Sequence, residues 1–87
     1  MVREKVTLNN FMGLHLRTAN VLCNEATKFQ SAVSVLYNDS YANAKSILSL
    51  LEVCVKCGSE IEIICEGPDE LCALENVVAV INNGLGE

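Results

Sequence analysis

The chain has 87 residues, 51% of them hydrophobic and 20% charged, with 11 acidic side chains against 6 basic ones and a formal net charge of −5. This describes one globular domain, residues 1–87, with a modest core, and excludes a disordered polyelectrolyte. The acidic balance, the lack of tryptophan and the scarcity of other aromatics exclude nucleic acid as the main partner, and no apolar run is long enough to insert into a membrane.

Val2 to Leu8 alternates charged and apolar residues and is predicted to be a strand ending at Asn9-Asn10. This alternation is unlike a signal peptide, so a cytoplasmic protein is expected. Leu16 to about Lys28 carries Ala19, Leu22, Cys23 and Ala26 at helical spacing, with Phe29 following the same face. Ala32–Tyr37 is a second strand, turned by Asn38-Asp39-Ser40 into a short third one, Tyr41–Ala44. Ser46 is the expected N-cap of a short helix, Ile47 to about Val53. Glu60–Glu66 is the last strand, closed by Gly67-Pro68. Asp69 is the expected cap of a final helix whose face is Leu71, Leu74, Val77, Val78 and Ile81, with Asn82-Asn83-Gly84 as its stop. The order β-α-β-β-α-β-α predicts an α+β two-layer open-faced sandwich, with a four-stranded antiparallel sheet and three helices on one face.

The only histidine, His15, lies where the first strand gives way to the first helix, and Arg17 follows two positions on. Neutral imidazole is a good nucleophile near pH 7. A guanidinium binds phosphate oxygens bidentately, and a helix start adds free N–H groups and a favourable dipole for an anion. These residues suit a phosphoryl-accepting site.

Five cysteines, at positions 23, 54, 57, 65 and 72, are an odd number, which favours reduced thiols over a disulfide framework. Cys54-Val55-Lys56-Cys57 is a C-x-x-C, open to redox or metal use, with Cys65 and Cys72 as further candidate zinc ligands. The simpler expectation treats the cysteines as small buried hydrophobes, with no metal site.

Gly13-Leu14-His15-Leu16-Arg17 together with Lys45-Ser46-Ile47-Leu48 resembles the HPr family, the histidine-containing phosphocarriers of the bacterial phosphoenolpyruvate-dependent sugar phosphotransferase system. Tyr37-Asn38, Ala44, Gly58, the Gly67 turn and the terminal Gly84-Leu85-Gly86-Glu87 are similar as well. The resemblance implies that His15 accepts a phosphoryl group on Nδ1 from enzyme I and passes it to the IIA domains of sugar permeases. Arg17 would then neutralise the phosphoryl oxygens. It further implies that Ser46 is a regulatory site for a dedicated kinase/phosphorylase, and that Ile47, Leu48 and Leu51 form a docking patch for enzyme I, the kinase and a transcriptional regulator. Phosphate on Ser46, expected to lie next to Lys45, would add negative charge to that docking face. The chain is then a group carrier rather than a turnover enzyme, monomeric, and in need of no cofactor.

The chain diverges from the family pattern in the loop, where Leu16, Thr18 and Asn20 replace a small residue, a proline and a further small residue. Thr18 restores a hydroxyl and a backbone N–H, either of which suits a phosphoryl oxygen, whereas Leu16 and Asn20 alter the rim that partners meet. Asn24, Thr27 and Ser49 stand where lysines are common, predicting slower and less salt-sensitive association with an acidic partner. Cys54 stands where a glycine is usual. Two other roles compete with the carrier. One is a regulatory paralogue acting through Ser46 and the apolar patch with weak relay. The other is a thiol or metal protein using Cys54 and Cys57.

Overall fold

The computed structural model describes residues 1–9, 13–53 and 55–86. In chain order the elements are β1 (Val2–Thr7), α1 (Leu16–Ala26), β2 (Ala32–Tyr37), β3 (Ser40–Asn43), α2 (Ile47–Glu52), β4 (Glu60–Glu66) and α3 (Glu70–Asn82), followed by a short 3-10 turn at Gly84–Gly86. The strands form one antiparallel sheet in the order β1-β4-β2-β3. The predicted α+β sandwich is therefore the observed one, with boundaries moved by a residue or two at β1, α1, β3 and α2.

Alternation along the strands sorts the two sheet faces. Val6, Val33, Val35, Ala42, Ile61, Ile63 and Cys65 point into the core beneath the helices. The opposite face carries polar residues, including Arg3, whose Nε and Nη2 donate to the two carboxylate oxygens of Glu62 at 2.9 and 2.8 Å. That pairing holds the Glu62 carboxyl below its ordinary range. The β2–β3 hairpin turns at Asn38 and Asp39, both at positive φ (50° and 64°), the backbone of a two-residue type I′ loop.

The helices supply the second layer. Ala19, Leu22 and Ala26 of α1 and Leu50 of α2 are completely buried. In α3 the buried stripe is Ala73, Leu74, Val77, Val78 and Ile81. Leu71, expected on that face, is 65% exposed. It shares the angular position of Val78 but lies in the first turn, ahead of the packed stretch that begins at Ala73.

Asp69 also departs from expectation. It occupies the N-cap position of α3, but its side chain makes no cap hydrogen bond there. Its carboxylate reaches back to the α1–β2 connection, accepting from the N–H groups of Gln30 and Ser31, both at 2.9 Å, and from the Ser31 hydroxyl. The hydroxyl bond, with the amide of Gln30, depresses the Asp69 pKa. A carboxyl depressed in the folded state contributes stability that is present above its unfolded pKa, about 3.9, and is lost as pH falls through the folded value. Acid titration of the melting temperature is therefore expected to fall away below about pH 4 in the wild type, and less steeply in Asp69→Asn. Equal acid slopes in the two proteins would refute this assignment.

Candidate functional site

β1 ends just short of the segment that leads into α1, and main-chain bonds hold this segment to the stretch before β4. The N–H of Leu8 donates to the Ser59 carbonyl at 2.8 Å, that of Gly58 to the Leu8 carbonyl at 2.7 Å, and that of Leu14 to the Val55 carbonyl at 2.9 Å. Gly13 is buried at φ +69°, and a Cβ there would lie 2.5 Å from the Val55 carbonyl oxygen and 2.9 Å from Lys56 Cα. Only glycine admits this approach. Sequence reading included Gly13 in the motif without seeing that its hydrogen atom, rather than its flexibility alone, is what the site needs.

His15 is the N-cap of α1, in extended conformation (φ −136°, ψ −175°), and is half-buried. Its Nδ1 accepts the N–H of Arg17 at 3.4 Å, and the N–H of Thr18 also bonds the imidazole, completing a capping box. Nδ1 therefore presents its lone pair to the start of α1. Arg17 is exposed, and among the described residues no carboxylate forms an ion pair with it. Leu16 is 67% exposed beside it, and Asn20 is exposed one turn on.

Thr18 does not do what was expected of its hydroxyl. The side chain is fully buried, its Oγ1 accepts the His15 N–H at 3.0 Å, and its hydroxyl donates to the Gly13 carbonyl at 2.8 Å. A hydroxyl turned into the protein is not placed to bond a phosphoryl group outside. The backbone N–H of Thr18 is the part that faces the imidazole.

Ser46 caps α2, its Oγ accepting the Ser49 N–H at 3.3 Å, and Ser49 Oγ accepts the Asn43 N–H at 2.9 Å. The Lys45 ammonium, expected beside a modified Ser46, donates to the Phe29 carbonyl at 2.7 Å near the end of α1. The lysine stem thus ties α2's start to the α1–β2 connection. Within the apolar patch, Leu48 is 69% exposed, whereas Ile47 and Leu51 are half-buried and pack against the core. Leu48 is the member most open to a partner.

The cysteines separate. Cys65 is fully buried in the core, where burial pushes its thiol pKa up. Cys23 is half-buried, and Cys57 and Cys72 are exposed, so burial does not describe the set. Cys54, and with it the C-x-x-C pairing, lies outside the described residues. Among the described residues no group of three or more His, Cys, Asp and Glu side chains is arranged to hold a metal, so Cys65 and Cys72 do not join such a group.

The family model described as the PTS HPr component phosphorylation site matches residues 2–83. The chain belongs to the HPr phosphocarrier family. It is 34% identical over 87 residues to the phosphocarrier protein HPr of Treponema pallidum, covering all of this chain and 99% of that one. An HPr structure from Thermoanaerobacter tengcongensis superposes with a TM-score of 0.96 at 32% identity, covering 100% and 98% of the two chains. The crystal structure of the Bacillus subtilis catabolite repression protein Crh, described as a swapped-domain dimer, matches at 36% identity and a TM-score of 0.78 over 97% of each chain. No helix among the described residues is long and apolar enough to cross a membrane.

Proposed function

We propose that this HPr-family chain is a working phosphoryl carrier of the cytoplasm, monomeric in action, that takes a phosphoryl group on His15 Nδ1 from phosphoenolpyruvate-charged enzyme I and delivers it to the IIA domains of sugar permeases. The observation that carries this reading is the position of Nδ1, held at the start of an 11-residue helix against the N–H groups of Arg17 and Thr18, with an exposed guanidinium alongside. On transfer, the donor's bond to phosphorus breaks as the Nδ1–P bond forms. The two N–H groups then pass from the nitrogen lone pair to the phosphoryl oxygens, and Arg17 offsets the added negative charge. Phosphoryl transfer asks little covalent chemistry of the carrier beyond such positioning and neutralisation. Incubation with enzyme I and labelled phosphoenolpyruvate is expected to place acid-labile label on the protein and to release it to a IIA domain. Absence of label on folded protein, with an authentic HPr labelled in parallel, would remove the carrier reading.

Ser46 gives the same molecule a regulatory input. A phosphate there would stand at the start of α2, next in chain to the half-buried Ile47 and two residues from the exposed Leu48. The added charge would meet any acidic partner that docks on Leu48 and Leu16. Ser46→Asp is expected to slow transfer from enzyme I by about tenfold, mostly through slower association, without loss of fold. An unchanged rate would sink the regulatory role at this position. Crh-like relatives keep a second reading in view, in which Ser46 and the patch serve a transcriptional regulator and relay is weak. Labelling by a serine kinase combined with failure to label from enzyme I would favour it.

A further inference from the structure

The first turn of α1 lacks the proline that the HPr pattern places after the arginine, yet His15 is held with Nδ1 against two main-chain N–H groups. The residue in the proline's place, Thr18, is one of two polar side chains buried among the described residues. Its single hydroxyl joins two parts of the loop. It accepts from the His15 N–H at 3.0 Å and donates to the Gly13 carbonyl at 2.8 Å, with the His15 carbonyl, at 3.3 Å, as a weaker second acceptor. The same residue's main-chain N–H contacts the imidazole. Thr18 therefore grips the backbone on one side of His15 and the ring on the other.

We propose that Thr18 is the positioning residue of the phosphoryl-accepting histidine, replacing a proline ring's covalent restraint by a buried hydrogen-bond clamp. Resting on the carrier reading of His15, the assignment explains how the divergent loop keeps a prepared site. Proline presets φ at a helix start and has no N–H to give. Threonine leaves φ less restricted, but its β-branched side chain has few rotamers and its hydroxyl ties the loop ends together. It also brings an N–H that proline lacks, a further donor at the edge where phosphoryl oxygens would lie. Hydroxyl removal would leave the Gly13 carbonyl and the His15 N–H without this buried partner and loosen the ring's setting.

The clamp can be tested with Thr18→Val, which keeps the shape and removes the hydroxyl, and Thr18→Ser, which keeps the hydroxyl. Two readouts separate positioning from stability: the nitrogen-15 shifts of the His15 imidazole, which report whether Nδ1 is a hydrogen-bond acceptor, and the initial rate of labelling from enzyme I at saturating phosphoenolpyruvate. In Thr18→Val the Nδ1 resonance is expected to move toward that of a free imidazole and labelling to slow by about tenfold, the factor an ordinary hydrogen bond corresponds to, while the protein remains folded by circular dichroism. Thr18→Ser, which keeps both the hydroxyl and the main-chain N–H, is expected to label within about twofold of wild type. An unchanged Nδ1 resonance and rate in folded Thr18→Val, or a Thr18→Ser as slow as Thr18→Val, would overturn the proposal. Should Thr18→Val fail to fold, a tenfold slowing of Thr18→Ser would overturn it, and a wild-type rate with an unchanged Nδ1 resonance in Thr18→Ser would support it. If the wild type takes no label, the carrier reading fails, and the imidazole resonances alone decide whether Thr18 sets the ring.

Discussion

Replacement of His15 by alanine or asparagine is expected to abolish labelling from enzyme I and phosphoenolpyruvate, leaving no acid-labile phosphate at all. His15 is the only histidine in the chain, so no other imidazole can substitute. The two variants divide the residue's roles. Alanine removes the nucleophile and also the acceptor that receives the Arg17 and Thr18 N–H groups at the helix start, and it is expected to lower stability by about 1 kcal/mol. Asparagine is among the best N-cap residues and keeps an acceptor there, so it is expected to retain stability while remaining unlabelled. The assay is transfer from labelled phosphoenolpyruvate followed by acid and base treatment, since a phosphohistidine is lost in acid and a phosphoserine is not. Acid-labile label persisting on either variant would refute the assignment of His15.

The second large effect is expected at Gly13. Gly13→Ala must accommodate a methyl group 2.5 Å from the Val55 carbonyl oxygen and close to Lys56 and Cys57 backbone atoms, at a φ of +69°. Backbone cannot yield as the end of a flexible side chain can. The conformational strain of about 1–2 kcal/mol and the overpacking of about 1–3 kcal/mol add to an expected loss of about 2–5 kcal/mol. For a domain of this size that lowers the melting temperature by at least about 10 °C. Gly58→Ala is the control. It carries the same kind of φ, +84°, with nothing within 4 Å of the new methyl group, and is expected to lose only about 1–2 kcal/mol. Equal thermal shifts for the two variants would show that the contact with the 55–57 segment has no energetic weight. A normal labelling rate in Gly13→Ala would show that the loop's seat does not govern the histidine.

The elements were legible because their signals are local. Strand alternation in Glu60–Glu66, the Asn38-Asp39 turn and the Ser46 cap each depend on neighbours a few positions away, and each is where it was expected. The element order and membership of the HPr family followed from the same frame. What sequence could not show depends on contacts between distant segments. Asp69 carries the signature of a helix cap, but a carboxylate also suits the amides of Gln30 and Ser31, and only the fold brings those within reach. Leu71 has the right helical angle and the wrong axial position. Lys45 turns to the Phe29 carbonyl because the end of α1 lies beside it. Thr18 carries a hydroxyl that suits a phosphoryl oxygen, but at position N3 of a helix capped by an extended residue its side chain points back into the loop instead.

The backbone bonds that join Leu8 and Leu14 to the Val55–Ser59 stretch have a consequence for synthesis. His15 emerges from the ribosome early, but the segment that seats its loop, and β4 against which β1 pairs, come much later in the chain. A nascent chain therefore carries His15 without the backbone bonds that seat its loop. On the proposed carrier reading, phosphoryl acceptance then waits until the 55–59 segment has seated the loop.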